Sequence, residues 1–464
     1  MARSYENFEF RPSQIQVARL IEKAIEKKVP AIIEAGTGTG KTLGYLAPLV
    51  LSGKKAVIST GTKNLQEQIF FKDIPLLSKA KGSKINSMLM KGRKNYLCLY
   101  KYRQCFSLPS LLKPEQEEVR KKIEKWLKKT KYADRSELPW IKDDDPLWDS
   151  LSSTSDQCLG SDCIYMDECY LNSLRNRAAQ SRIIIVNHHL FFADLMVKKG
   201  GFGEIIPRFQ VAIFDEAHNM EEIATSYLGE SLSTYQLMEF VNDVERGTKD
   251  IRNIEKEGFK RHLNLIRIGA EQLQDLFNDS DKKGRLNEKI SRMINEGPAH
   301  HISRGLNHIQ EESALKVLRD ASLQAFVPRA GELSQRLDRI LSSQEPDWLH
   351  WYEKRKKRVV LHASPLDISE SMKKLLYQKV KRVVFTSATL STKGNFDYFR
   401  SRLGLSDDVQ EGIFPSHFDF EKQTLIYIPK DLPPPSDSGF VPRAAERIID
   451  ILKITSGRAL VLFT

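Results

Sequence analysis

Long apolar runs are missing from this chain. Nowhere does it hold the ~18 consecutive apolar residues that a membrane-spanning helix needs, so no membrane partner is expected. Its first residues, "MARSYENFEFRPSQ", lack the apolar centre of a secretory signal, which makes the cytoplasm the expected compartment. Cysteine is scarce: 464 residues contain five. In a reducing compartment that excludes a disulfide framework and turns attention to metal binding or catalysis. Acidic residues are outnumbered, 60 to 72, leaving a net charge of +12. A basic surplus suits a polyanionic partner such as nucleic acid, although solubility alone also accounts for it. No internal repeat is visible.

What is present is the material of several globular domains; this length has room for two to four. Ile15, Ala18, Ile21 and Ile25 stand close to helical spacing. Five short apolar runs read as strands: "VPAIIE" (29–34), "KKAVIST" (54–60), "RIIIVN" (182–187), "VAIFDE" (211–216) and "RVVFTS" (382–387). Their alternation with helical stretches predicts an α/β fold with a parallel sheet. Two insertions interrupt the pattern. The first, roughly 90 to 180, is polar and holds all five cysteines. The second, roughly 226 to 375, shows helical periods at Leu237, Val241 and Val244 and at Ile266, Ala270, Leu273 and Phe277. "PKDLPPPSDSGF" (429–440) reads as a loop before a last helix and strand.

Three motifs carry chemistry. "AGTGTGKT", Ala35 to Thr42, follows a strand and opens a helix. The glycines Gly36, Gly38 and Gly40, with Thr37 and Thr39, allow backbone N–H groups to close around phosphates, and the helix start adds its positive end. Lys41 would reach the β- and γ-phosphates of ATP and Thr42 would bind Mg²⁺. Ala35 stands where the pattern has its first glycine. "FDEAH" (214–218) ends the strand "VAIF", where a parallel sheet places ligand chemistry. Asp215 is expected to hold Mg²⁺, and Glu216 to orient and activate the attacking water; His218 joins the nucleotide-binding set. "FTSATLS" (385–391) is a hydroxyl-rich turn after a further strand.

The cysteines are Cys98, Cys105 and a trio, Cys158, Cys163 and Cys169, spaced C-x4-C-x5-C. Four-cysteine zinc sites show two close pairs. One isolated residue plus a trio fits that poorly, and four thiolates can instead hold a [4Fe–4S] cluster. Zinc and buried thiols remain as alternatives at this point. Cys98 and Cys105 compete as the fourth ligand, and "NYLC" favours Cys98. The basic runs "EKRKKR" (353–358) and "KWLKKTKY" (125–132) could line a DNA path, but solvated helix faces are the simpler expectation. His188–His189 and His300–His301 lack metal-ligand context and read as structural.

The order phosphate loop, D-E-A-H, S-A-T resembles superfamily 2 helicases, and more closely their DinG/XPD-type, iron–sulfur branch. "RPSQ" (11–14) resembles that family's Q motif, which implies Gln14 on the adenine. "STGTKNLQEQI" (59–69) resembles motif Ia, "KGRKNYLC" (91–98) the entry to the iron–sulfur domain, "VNHHLF" (186–191) the return to the core sheet, and "HASPLDIS" (362–369) the return from the helical insertion called the Arch. The resemblance runs from residue 11 onward. It implies a RecA-like P-loop motor domain split into 1–90, 181–225 and 376–415, an iron–sulfur insertion at 91–180, an Arch-like insertion at 226–375, and the start of a second motor domain at 416–464. It implies a [4Fe–4S] cluster on Cys98, Cys158, Cys163 and Cys169. The implied activity is an ATP-dependent DNA helicase moving 5′ to 3′ on single-stranded or forked DNA, in repair or the replication-stress response. "SGRALVLFT" (456–464) resembles motif IV, with "ALVLFT" as a strand. Motifs V and VI, and the exonuclease domain of some relatives, are then expected to be absent. The alternative expectation is a DNA- and ATP-binding module without efficient turnover.

Overall fold

The computed structural model describes residues 9–462, apart from 108–112, 143–144, 156, 201–202, 249–255, 312–320, 343–345 and 356–357. It comprises two compact units, Met1–His417 and Phe418–Thr464.

The first unit is organised by a seven-stranded parallel sheet of β1 (Ala31–Ala35), β2 (Ala56–Thr60), β3 (Ser87–Leu89), β4 (Ile183–Asn187), β5 (Val211–Asp215), β10 (Arg382–Ser387) and β11 (Gln410–Phe414), in the order β11-β1-β10-β5-β2-β4-β3. Parallel sheets are covered on both faces, which is why these strands are almost continuously apolar. Alternate residues serve opposite layers. Ile32, Val57, Ile184, Phe214 and Phe385 join one core cluster. Ile33, Ile58, Ile185, Ile213 and Val384 join the other. Each such side chain contributes about 1.5–3 kcal/mol by burial. The rings of Phe214 and Phe385 stack at 5.4 Å. The helix α1 (Pro12–Lys27) starts with proline in its first turn and buries Val17, Ile21, Ala24 and Ile25. Its inner face is thus rotated from the expected one, and Ile15 is exposed.

The register brings three strand ends together. Glu34 of β1 pairs with Ser387 of β10, and Thr386 of β10 pairs with Asp215 of β5. The carboxyl ends that carry the phosphate loop, the D-E-A-H turn and the S-A-T turn therefore share one edge.

Between β3 and β4 the chain builds a small core of its own around Leu97, Tyr102, Ile123, Ile141, Trp148 and Leu151. Between β5 and β10 lies a larger one. Leu237, Val241, Val244, Ile266, Ala270, Leu273 and Phe277, expected on helical faces, all sit in it. It is not purely helical, however. Strands β6 (Glu230–Ser233), β7 (Lys283–Arg285), β8 (Trp348–Arg355) and β9 (Arg358–Pro365) form an antiparallel sheet in the order β6-β9-β8-β7. Along β9, Val359, Leu361 and Ala363 face inward, the two-residue alternation of a half-buried strand.

Of the run 353–358, residues 353–355 end β8 and Arg358 begins β9, so they lie on strands and not on a helix. Lys354 Nζ donates to the carbonyls of Asn278 (2.8 Å) and Ser280 (2.7 Å); Lys356 and Lys357 lie outside the described residues. The run 125–132 leaves a helix, Pro114–Leu127. In the second unit the expected helix is present, Phe440–Ile454. Residues 459–462 form no strand, and Leu460 and Leu462 are exposed, because a strand requires a pairing partner and none is provided among the described residues; 463–464 lie outside them. Among the described residues no helix is long and apolar enough to cross a membrane.

Candidate ATP site and cysteine cluster

The phosphate loop leaves β1 and enters helix α2 (Lys41–Leu51). Gly38 and Gly40 adopt positive φ, 82° and 77°, a region glycine occupies without steric cost. At Gly40 a Cβ would also meet Gln14 Nε2 at 2.1 Å. Gln14 uses that nitrogen to donate to the Gly40 carbonyl, 3.0 Å, and Arg11 donates to the carbonyl of Gly38. Thr39 Oγ1 donates to Gly36 O (2.8 Å) and Lys41 Nζ to Ala35 O (3.1 Å). Ser416, two residues beyond β11, donates its hydroxyl to Thr37 O, 2.8 Å. The loop is thereby held from both sides; the Gly36 N–H also donates to Phe414 O at 3.0 Å and the Thr39 N–H to Gly36 O at 3.3 Å.

Asp215 ends β5 and is 4 % exposed. Burial pushes its pKa up to about 6, and the charge of Glu216 adds to this. Opposing that, Tyr45 donates its hydroxyl to Asp215 Oδ2, 3.1 Å, and Lys41 lies close enough to favour the charged form. Glu216 takes a left-handed conformation (φ 56°, ψ 45°). His218 Nδ1 lies 2.8 Å from Ser387 Oγ, and Ser387 in turn donates to Glu216 Oε2 at 3.4 Å. The D-E-A-H and S-A-T turns are joined through this histidine.

Glu34 ties the S-A-T turn to the phosphate-loop strand. It accepts from the backbone N–H groups of Leu390 and Ser391, both 2.6 Å, and from Ser391 Oγ, 2.9 Å. Burial would raise its pKa, but these donors outweigh burial and hold it below the ordinary value. Glu34, Tyr45 and Ser416 were not among the residues expected at the site. A carboxylate inside the apolar run "AIIEA" was the available signal for Glu34.

His188 is buried, with Nδ1 2.7 Å from Ser59 Oγ. Burial lowers its pKa to about 4. His301 Nδ1 lies 2.9 Å from Gln272 Oε1.

Cys98, Cys158, Cys163 and Cys169 are half-buried, whereas Cys105 is exposed. Burial raises the Cys163 thiol, and the charges of Cys98, Cys158 and Cys169 add to that. The Cys105 sulfur lies 3.8 Å from Ser150 Oγ. Among the described residues no three His, Cys, Asp or Glu side chains converge as the ligands of one metal ion. A groove of about 1050 Å³ lies elsewhere, lined by Phe70, Phe71, Tyr132 and the edge strand β3; a phosphate loop binds through backbone at an open sheet edge.

The comparisons with known proteins agree with the motif order. Residues 11–107 match the DEAD/DEAH box helicase family. The chain is 33 % identical to the ATP-dependent DNA helicase YoaA of Haemophilus influenzae, over all of this chain and 72 % of that protein. To YoaA of Escherichia coli it is 34 % identical, over all of this chain and 73 % of the relative.

The chain belongs to the YoaA/DinG helicase family.

This YoaA/DinG-family protein is an ATP-dependent DNA helicase with a RecA-like core, which gives it ATP and Mg²⁺ as cofactors and DNA as partner. A more distant relative, the 3′-5′ exonuclease DinG of Bacillus subtilis, is 27 % identical over 98 % of this chain and 54 % of its own length. Among solved structures, one titled "XPD_Helicase" aligns with 96 % of the chain and 70 % of its own, at TM-score 0.48 and 14 % identity.

Proposed function

We propose that Lys41, Thr42 and Asp215 hold Mg²⁺·ATP at this edge, with backbone N–H groups of Thr37, Gly38, Gly40, Lys41 and Thr42 on the phosphates, Gln14 toward the adenine and His218 on the nucleotide side of the D-E-A-H turn. The observation that carries the reading is the meeting of three strand ends in one register, joined by the 2.8 Å contact between His218 and Ser387. The bound cation supplies charge neutralisation on the transferred phosphoryl group. Glu216 would accept the proton of the attacking water. Glu34 and Ser387 would pass the state of the site to the S-A-T turn, and so to the DNA. In this reading the protein moves 5′ to 3′ on single-stranded or forked DNA and serves repair or the response to replication stress. The segments 1–90, 181–225 and 376–415 form the motor, 91–180 an iron–sulfur insertion, 226–375 an Arch-like insertion and 416–464 the start of a second motor domain. K41A should abolish ATP binding measured by calorimetry while leaving the fold intact by circular dichroism. A K41A protein with unchanged affinity would sink the assignment.

Within the same reading, Cys98, Cys158, Cys163 and Cys169 hold a [4Fe–4S] cluster. Their mutual electrostatic influence supports this. Arg175 supports it too. Its buried Nε has no hydrogen-bond acceptor among the described residues, and its guanidinium feels the charges of Cys158 and Cys169. Thiolates on a cluster would face it with negative charge. Iron and sulfide analysis separates the two candidates for fourth ligand: C98S should lose most of its iron, and C105S should keep it. The reverse result would move the assignment to Cys105.

A further inference from the structure

Beneath the nucleotide site lies a hydroxyl that the functional reading leaves without a role. Tyr45 is fully buried one turn into α2. Its hydroxyl is 3.1 Å from Asp215 Oδ2, and the side chain of Thr42 interacts with the same oxygen. Thr42 and Tyr45 share a helix face because they are three residues apart. The other Asp215 oxygen, Oδ1, accepts the backbone N–H of Glu216 at 3.1 Å. Both carboxylate oxygens are therefore held, one by the strand end and one by the tyrosine.

Packing alone does not call for this hydroxyl. The ring sits among Leu46, Leu49, Ile33 and Ile213 in an apolar layer, where phenylalanine would fill the same volume. What the oxygen adds is a bond to Asp215 and contact with Thr42, the two side chains proposed for the cation. Groups that orient metal ligands from behind are energetically important, and their loss commonly weakens metal affinity ~10–100-fold.

We propose that Tyr45 is a positioning residue for the divalent cation, its hydroxyl fixing the side-chain oxygens of Asp215 and Thr42 in the orientation that Mg²⁺ requires. This rests on the assignment of Lys41, Thr42 and Asp215 as the Mg²⁺·nucleotide site. Tyr45 itself touches neither nucleotide nor cation.

The test is Y45F in the 464-residue protein, with ADP affinity measured by calorimetry across a Mg²⁺ titration and again in excess EDTA. The Mg²⁺ concentration that half-saturates the cation-dependent gain should rise by about tenfold or more. Affinity in EDTA should stay within about twofold of wild type, because phosphate-loop contacts are untouched. A hydroxyl that serves packing alone would lower the melting temperature without moving the Mg²⁺ requirement, and that result overturns the proposal. A second measurement uses the D215A background, in which Y45F should shift the Mg²⁺ requirement no further, since the two residues act through one bond; additive shifts overturn the proposal as well. K41A separates failure of the proposal from failure of the site. If K41A loses ADP in both buffers while Y45F leaves the Mg²⁺ requirement unchanged, the site stands and Tyr45 does not position the cation. If K41A keeps its ADP affinity, the site assignment falls and the proposal falls with it.

Discussion

Glu216 stands in the left-handed region at φ 56°, which costs a non-glycine residue about 1–2 kcal/mol. Strain of this kind persists where surrounding contacts over-determine it, and here they do. His218 Nδ1 lies 3.4 Å from its carboxylate and Ser387 Oγ donates to it. The carboxylate is 28 % exposed at the sheet edge, where a base must be to meet water. E216Q preserves the shape and the backbone, so nucleotide affinity should remain within a few-fold of wild type. Steady-state ATP turnover with single-stranded DNA should fall by about 10²–10⁴, the range for removal of a general base. Equal loss of binding and turnover would make Glu216 a binding residue. The residues named by local motifs were legible because a phosphate loop or a D-E-A-H turn encodes its geometry within a few positions. Glu34, Tyr45 and Ser416 were not. Their roles depend on which strands pair and in what register, and Glu34 meets residues more than 350 positions away.

At the scale of elements, five strands of the parallel sheet could be read as apolar runs, since burial on both faces leaves few polar positions. The two edge strands could not. β3 is three residues long, and β11 (QEGIF) carries a glycine and mostly polar neighbours. The antiparallel sheet was hidden for another reason: β6 and β7 lie far in sequence from the adjacent pair β8 and β9, between strong helical periods. That sheet holds a pH-sensitive pair. Trp351 and His362 face each other on β8 and β9, with rings stacked 4.0 Å apart at 9°. Burial lowers the His362 pKa to about 4, against the opposing pull of Glu353. The folded state therefore binds fewer protons than the unfolded state below the ordinary histidine value of 6.5. The stability from neutral His362 is complete above that pH and is lost as pH falls toward 4. H362F retains a ring for the stack and cannot be protonated. Its melting temperature relative to wild type should rise steadily as pH is lowered from 7 to the range of the folded pKa. Parallel melting curves for the two proteins across that range would show that His362 is accessible to protons in the folded state.

On the scale of the whole molecule, charge decides how the helicase meets its polymer. The net +12 is what remains once every anion is matched by a cation, and the internal ion pairs decide which cations carry it. Lys91 is buried between Glu67 and Asp134, Arg329 bonds Asp243 at 2.7 Å and Arg402 bonds Glu221 at 2.6 Å. Cations without such internal ties are the ones that can release counterions from DNA. For single strands, the logarithm of the binding constant falls with the logarithm of salt at about 0.7 per phosphate contacted. A footprint of about six contacts gives a slope near −4, and an affinity loss of roughly a hundredfold or more between about 50 and 200 mM salt. Fluorescence anisotropy with a labelled oligonucleotide measures that slope directly. Phosphate-led binding also predicts nearly equal slopes for different base sequences of the same length. A shallow slope near −1, with affinity that follows base composition, would instead mean that base stacking on aromatic side chains dominates, and the DNA path would then have to be sought along exposed rings such as Phe71 and Tyr235, away from the basic runs.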